Sequence, residues 1–331
     1  MWTRASINVF FLSLLFNASV LAAPSTQIDI LGIFEQRTSQ TPALSTRQEY
    51  GFNQTTLSLA TQGLHDLQIK IDGVFESSEN DSLFYLETLT VKWPLLGQKN
   101  LYIEAGKMYY PIGHFSLQQD IFIETPEELN HLLGGFGGLD IGVTGSYRLP
   151  DTPFSFEVSV FTGQRFRADE GFAAPAVKPP VILSALWKDG EHQAFISYLD
   201  RKYHRGSFFQ GFGVGGQTSH YESFTGVNIK ATAEAWGTKE TGLSPGAEQA
   251  VGLILYPEIS WKQIYATWYE SLWHQQTTKV LRRSNVAKIG WQTHPNVGLE
   301  ALWQTSYDGF NNEFQVMSDD QSLRLVFEAQ I

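Results

Sequence analysis

The chain contains no cysteine, which removes disulfide staples, thiolate zinc sites and cysteine nucleophiles together. Such a composition suits an oxidising compartment without requiring any cross-link. Long apolar runs are equally scarce: beyond the first two dozen residues, nothing approaches the roughly 18 consecutive apolar residues that a spanning helix needs. A bundle of membrane helices is therefore excluded. A membrane barrel is not, because its strands dilute their apolar residues by alternation. Basic residues are in the minority, with 23 Lys and Arg against 34 Asp and Glu and a formal net charge of -11. They form no cluster, so general nucleic-acid binding, which rests on phosphate contacts, is not expected. What is present is 331 residues, 42% hydrophobic and 14% aromatic, enough for two soluble domains or one large barrel.

Residues 1–22 read as a secretory signal. Arg4 gives the positive start, Ile7 to Leu15 is largely apolar, and Val20, Leu21 and Ala22 precede a cut after Ala22. Residues 23–331 are then a single domain. In a Gram-negative bacterium an exported chain of this kind has the periplasm, the outer membrane or the medium as its destination.

From Gln27 onward the informative pattern has period two, which sends alternate side chains to opposite faces of a strand. Leu67, Ile69, Ile71 and Phe75 oppose Gln68, Lys70, Asp72 and Glu76. Leu139, Ile141, Val143 and Tyr147 oppose Asp140, Thr144 and Arg148; Phe154, Phe156, Val158 and Val160 oppose Ser155, Glu157 and Ser159. The same rhythm sets Val227, Ile229, Ala231 and Ala233 against Asn228, Lys230, Thr232 and Glu234, and Val297, Leu299, Ala301 and Trp303 against Glu300 and Gln304. Each strand has one apolar face and one wet, charged face.

Sixteen candidate strands fall near 27–37, 50–61, 67–76, 83–93, 100–110, 139–149, 153–163, 181–188, 192–202, 208–218, 224–236, 248–256, 260–273, 283–293, 297–307 and 321–331. The even-numbered connections are tight, among them Pro150 to Thr152, Asp189 to Glu191, Ser219 to Ser223, Pro257 to Ile259 and His294 to Asn296. The odd-numbered ones are mostly longer, including 38–49, 111–138, 164–180, 237–247 and 308–320. Short turns at one end, long loops at the other and an even strand count predict an all-β fold. The expected form is an antiparallel transmembrane β-barrel of about 16 strands (about 14–18), with short periplasmic turns and long external loops. Trp93, Tyr147, Trp187, Tyr256, Trp273, Trp291 and Tyr307 stand near strand ends and fit interfacial aromatic girdles. The alternation blurs in strands 8 to 10 and 12 to 14, where Lys262 and Trp268 fall on one face.

The last strand alternates to the final residue, Leu323, Leu325, Phe327, Ala329 and Ile331 against Arg324, Val326, Glu328 and Gln330. Outer-membrane proteins end in a similar strand, commonly with a terminal Phe, which the barrel-assembly machinery reads; here Ile331 stands in that place. The chain is too short for a plug domain plus about 22 strands, so gated import through a plugged barrel is excluded. A barrel of about 14–18 strands leaves a water-filled lumen, and diffusion is the expected mechanism.

The segment Gly106-Lys107-Met108-Tyr109-Tyr110-Pro111-Ile112-Gly113-His114-Phe115 resembles a motif of outer-membrane porins: Gly, a basic residue, then Pro-x-Gly at a strand top. With the flanking strands and Leu132 to Asp140, residues 50–165 look like the LbtU-type siderophore porins. A related group of outer-membrane proteins, sometimes labelled zinc-regulated, fits comparably. The resemblance implies a channel-forming barrel for passive uptake of a small solute, a ferric siderophore or a metal ion. Physics assigns the motif a structural role first: Gly106 relaxes the backbone, Pro111 ends pairing and Gly113 permits a turn.

Selectivity has two candidate sources. The segment 111–138, third among the external loops, carries His114, Glu124, Glu127, Glu128 and His131; folded into the lumen, its carboxylates would favour cations. On the walls, Lys70, Asp72, Glu104, Asp140, Arg148, Glu157, Lys230, Glu234, Glu300, Arg324 and Glu328 are expected to line the pore. Gly211, Gly213, Gly215 and Gly216 read as strand glycines near a bend, not as a phosphate loop. No cofactor is expected. The expected partners are outer-membrane lipid and lipopolysaccharide, the assembly machinery, the solute and, as an open option, further copies of the chain. Two other readings compete: a barrel enzyme such as a lipase, which would need a Ser-His pair at the lipid face, and a secreted β-rich carbohydrate-binding protein.

Overall fold

Strands with one apolar and one polar face satisfy both water and hydrocarbon only if the sheet curls and its backbone edges meet. The computed structural model describes residues 25–41, 44–62, 67–77, 82–95, 98, 100–111, 139–163, 178–202, 208–244, 246–276, 279–294, 297–310 and 313–330. Residues 1–22, the expected secretory signal, lie outside them. The strands are β1 Ser25–Thr41, β2 Leu44–Gln62, β3 Gln68–Ser77, β4 Ser82–Pro94, β5 Leu101–Tyr109, β6 Leu139–Arg148, β7 Phe154–Phe161 and β8 Lys178–Asp189. They continue with β9 His192–Lys202, β10 Phe208–Glu222, β11 Val227–Ser244, β12 Gly246–Trp261, β13 Ile264–Gln275, β14 Val280–His294, β15 Val297–Phe310 and β16 Glu313–Gln330. Each pairs antiparallel with its neighbour in sequence, and β1 closes onto β16 from Asp29↔Gln330 to Gln40↔Asp319. The sheet is a closed barrel of sixteen strands.

Burial is inverted relative to a water-soluble sheet. On β7, Phe154, Phe156, Val158 and Val160 are exposed while Ser159 is buried; on β12, Val251, Leu253, Leu255, Ile259 and Trp261 are exposed while Ile254 and Tyr256 are buried. Exposed apolar side chains recur outward on β6 through β16, a belt far larger than the patches soluble proteins tolerate. The arrangement is that of a lipid-facing wall. Tyr147 and Trp291 are exposed on it, as a girdle requires, but Tyr256 is 4% exposed and points inward. Trp273 and Tyr307 have side chains outside the described set.

The structure changes the expected connections. Segments 38–49, 237–247 and 308–320 are mostly strand, not loop: pairing runs to Thr41↔Leu44, to Ser244↔Gly246 and to Phe310↔Glu313. Stretches such as Thr238-Lys239-Glu240-Thr241 are polar at every position, so they lack the alternation that marks a strand in hydrocarbon. Backbone pairing does not require that alternation, and the hairpins continue past the apolar belt. The longest stretches between strands are 110–138 and 162–177, and β5 and β7, which lead into them, finish at the same end of the barrel.

Pro257 does not make a turn. It sits inside β12 opposite Ala231, and the β12–β13 ladder omits Tyr256 and Pro257 before resuming in unchanged register at Glu258↔Thr267. The missing proline N–H removes a bond on one side without shifting the strand. The turn comes later, at Lys262, whose φ of 54° is left-handed. Lys262 therefore belongs to no strand face, which removes its conflict with Trp268, an exposed outward residue.

Gly106 does more than relax the chain. Its φ is 144°, and a Cβ there would lie 2.0 Å from the Leu89 carbonyl oxygen of the neighbouring strand. One pair farther on, Leu89↔Lys107 ends the β4–β5 ladder, and the Lys107 ammonium donates to the Leu86 carbonyl beyond it. The basic residue of the motif thus caps an interrupted ladder.

The lipid-facing assignment predicts an asymmetric response to charge. Leu255→Arg, in the middle of the outward run of β12, should cost about 2–4 kcal/mol. Ser155→Arg, on the inner face near a turn, should cost less than about 1 kcal/mol. Urea unfolding in lipid vesicles, followed by tryptophan emission, checks both.

Candidate channel lining

Cross-strand partners share a face, so the register fixes which side chains enter the bore. Lys70 and Asp72 form an ion pair of 3.0 Å, with Asp72 buried, Lys70 59% exposed and the Thr88 hydroxyl donating to Asp72. Glu104 stands opposite Thr144, half-buried. Glu157 is half-buried and accepts from Ser146 Oγ at 3.4 Å. Lys230 is half-buried between Ser219 and Glu258, and Arg148 is exposed beside the turn that follows β6. Glu234 is buried and accepts from Trp236 Nε1 at 3.0 Å. Glu300 is buried with Lys288 at 3.4 Å, and the Tyr265 hydroxyl donates to it. Backbone register sets Arg324 opposite Glu300 and Glu35, and Glu328 opposite Leu31; their side chains lie outside the described set. Gly113, His114, Glu124, Glu127, Glu128 and His131 also lie outside the described residues. Among the described residues no group of three or more His, Asp or Glu side chains is arranged to hold a metal ion.

Asp140 faces inward but is not free lining. Its carboxylate is wholly buried and accepts from Ile141 N at 2.7 Å, Gly163 N at 2.7 Å, Tyr110 OH at 3.0 Å and the Thr162 hydroxyl. One carboxylate thereby ties the end of β5, the start of β6 and the chain leaving β7. Arg201 Nη2 extends the cluster from β9 by donating to the Gly163 carbonyl at 2.9 Å. Tyr110 also packs on Phe161, with ring centroids 4.5 Å apart.

This cluster directs the chain inward. Ser184 lies mid-strand in β8, facing the bore, and donates to the Pro111 carbonyl at 3.3 Å. β8 is three strands from β5 along the wall. Pro111, the last described residue before 139, is buried against the inner wall, not directed out past the rim.

Inward glycines stand directly opposite an aromatic residue at Gly142↔Phe161, Gly213↔Trp236, Gly215↔Phe195 and Gly290↔Tyr265. In each, a Cβ on the glycine would come within 2.7 Å of the ring. The rings lie flat over the glycines and hug the wall, an arrangement known to support glycine in sheets. Gly213 and Gly215 are thus spaces for Trp236 and Phe195, not a bend.

The sequence pattern missed Tyr110, Arg201, Gln217 and Lys288, all buried on the inner side. For Lys288 a signal existed, since Ala287, Ile289 and Trp291 alternate with it outward.

No protein-family model matches this sequence, and no curated protein does either. Solved structures do match. The outer-membrane channel DcaP of Acinetobacter baumannii aligns with a TM-score of 0.66 over 93% of this chain and 99% of that one, at 11% identity. OccK2 of Pseudomonas aeruginosa, in complex with glucuronate, gives 0.60 over 93% and 98% at 8% identity. OmpT of Vibrio cholerae, expressed in the outer membrane, gives 0.60 over 93% and 99% at 8% identity. The closed antiparallel barrel fold is shared with these outer-membrane proteins. At such identities the likeness is one of architecture, and the lining must be read from this chain's own residues.

Removing the Asp140 carboxylate should release the inward turn. Each buried donor left without an acceptor costs roughly 1–3 kcal/mol. Asp140→Ala is therefore expected to lose at least about 3 kcal/mol, against about 1 kcal/mol for Tyr110→Phe. The temperature at which the folded band disappears from a semi-native gel should fall in that order.

Proposed function

We propose that this chain is an outer-membrane channel for passive uptake of a small solute, with its short turns in the periplasm and segment 111–138 folded into the bore. The observation that carries the proposal is the closed sixteen-strand wall with exposed apolar side chains outside and charged, hydroxyl and amide side chains inside. A barrel of this size is wide enough to hold water. DcaP, described as a channel, has the same architecture. The inward path of Tyr110 and Pro111 supports the loop assignment, because their anchors lie on β6, β7 and β8 inside the barrel.

The exposed apolar belt argues against a secreted, freely soluble binding protein. The siderophore or metal cargo rests on the likeness of the 106–115 segment to porins of that type. Its described residues Gly106 and Lys107 are engaged in ending the β4–β5 ladder. The same reading proposes lipopolysaccharide contact outside and recognition of β16 by the assembly machinery.

Purified protein in planar bilayers should give stable, ohmic conductance steps, and the same preparation should not hydrolyse ester lipids. Cation-over-anion selectivity is expected from Glu124, Glu127 and Glu128 in the bore. Replacing all three with Gln should move the reversal potential in a salt gradient toward zero. An unchanged potential would remove the loop from the bore, and absent conductance would remove the channel.

A further inference from the structure

The inner wall of β7 to β10, next to Pro111, forms a partly open cavity of about 100 Å³. That is well above the roughly 10–15 Å³ one water requires. Glu157, Leu186, Lys188, Gln193, Phe195 and Gln217 contribute to its lining. Gln217 is 8% exposed, and its Oε1 has no hydrogen-bond partner among the described residues. A buried amide oxygen costs about 1–3 kcal/mol unless a donor reaches it, so the wall presents an acceptor that a guest can satisfy.

The surroundings define that guest. Glu157 and Lys188 contribute one charge of each sign, so an anion meets a carboxylate and a cation meets an ammonium. Gln193 and Gln217 each offer donors and an acceptor, the combination that matches hydroxyl groups. Ser184 and Ser197 bond each other at 3.0 Å, and Ser184 also holds Pro111. Phe195, seated over Gly215 and tilted on Trp236 at 5.9 Å, adds an apolar surface beside Leu186. Amides beside an aromatic face suit a ring that carries hydroxyls at its edge and C–H groups on its face.

We propose that this cavity binds a neutral polyhydroxyl solute, a monosaccharide or sugar alcohol, during passage through the bore. The site rests on the channel reading above and names the class of solute for it.

The test uses full-length protein in planar bilayers, with glucose, glycine and acetate as probes. Glucose should interrupt the open current in a concentration-dependent way, and glycine and acetate should not. Each variant is compared by its half-blocking glucose concentration, normalised to its own open conductance. Gln217→Leu and the less buried Gln193→Ala should each raise that concentration about three- to tenfold, the equivalent of one hydrogen bond. Val158→Ala, on the outer face, should leave it unchanged. Loss of conductance in the unmodified protein would overturn the channel reading itself. Conductance without glucose block, or block indifferent to both glutamine variants, would overturn the site while the channel stands. Block by glycine or acetate in place of glucose would overturn the chemical class.

Discussion

The constraint on which the structure depends is that hydrocarbon offers no partner to a backbone N–H or carbonyl. Every strand in the apolar belt must therefore find both neighbours, and a sheet with two free edges cannot meet that demand. Pairing of β1 with β16 over Asp29 to Gln40 removes the edges. Local exceptions show how strictly the demand is met. Where the β4–β5 ladder stops at Leu89, the Lys107 ammonium reaches the Leu86 carbonyl beyond it. Where Pro257 lacks its N–H, the register continues on both sides of the gap.

Closure fixes the outside, but the inside is a packing problem of another kind. Sixteen inward faces converge on one space, and large side chains projecting across it would fill it. Glycine opposite an aromatic ring lets the ring lie along the wall, and such pairs supply apolar lining without crossing the bore. Polar groups on the same wall are largely bound to one another: Asp72 with Lys70 and Thr88, Glu300 with Lys288 and Tyr265, Glu234 with Trp236. Asp140 collects four donors and so fixes where the chain turns inward. On the channel reading proposed above, selectivity falls to the groups these pairings leave over, which is why a single buried amide such as Gln217 carries weight.

Much of the architecture was legible in the sequence because the signal for it is one-dimensional. Alternation in β3, β6, β7, β11 and β15 reports the contrast between lipid and water directly, and the count of sixteen follows from it. Strand ends were less legible. Beyond the belt both faces are wet, so Thr238 to Thr241 look like loop although they are paired. Pro257 reads as a turn residue in the sequence, and only the neighbouring ladders reveal that one absent bond is tolerated. The lining was harder still. That Gly213 faces Trp236, or that Asp140 meets Tyr110 and Gly163, is a property of register between strands, which composition along one strand does not encode. Charge parity placed Glu157 and Lys230 on the inner wall, but it could not distinguish a solvated wall charge from one sealed by a partner, as Glu300 is.

The most direct test of the central claim uses the absence of cysteine, which makes every introduced thiol unique. Single cysteines at positions 154 through 160 along β7 can carry nitroxide labels in lipid vesicles. Collision with oxygen, which concentrates in hydrocarbon, and with a nickel chelate, confined to water, can then be compared by electron paramagnetic resonance. The account predicts a period of two: oxygen-dominated at Phe154, Phe156, Val158 and Val160, and more nickel-accessible at Ser155 and Glu157. Equal nickel accessibility on both parities would mean that the apolar belt faces water, and the membrane barrel would be contradicted.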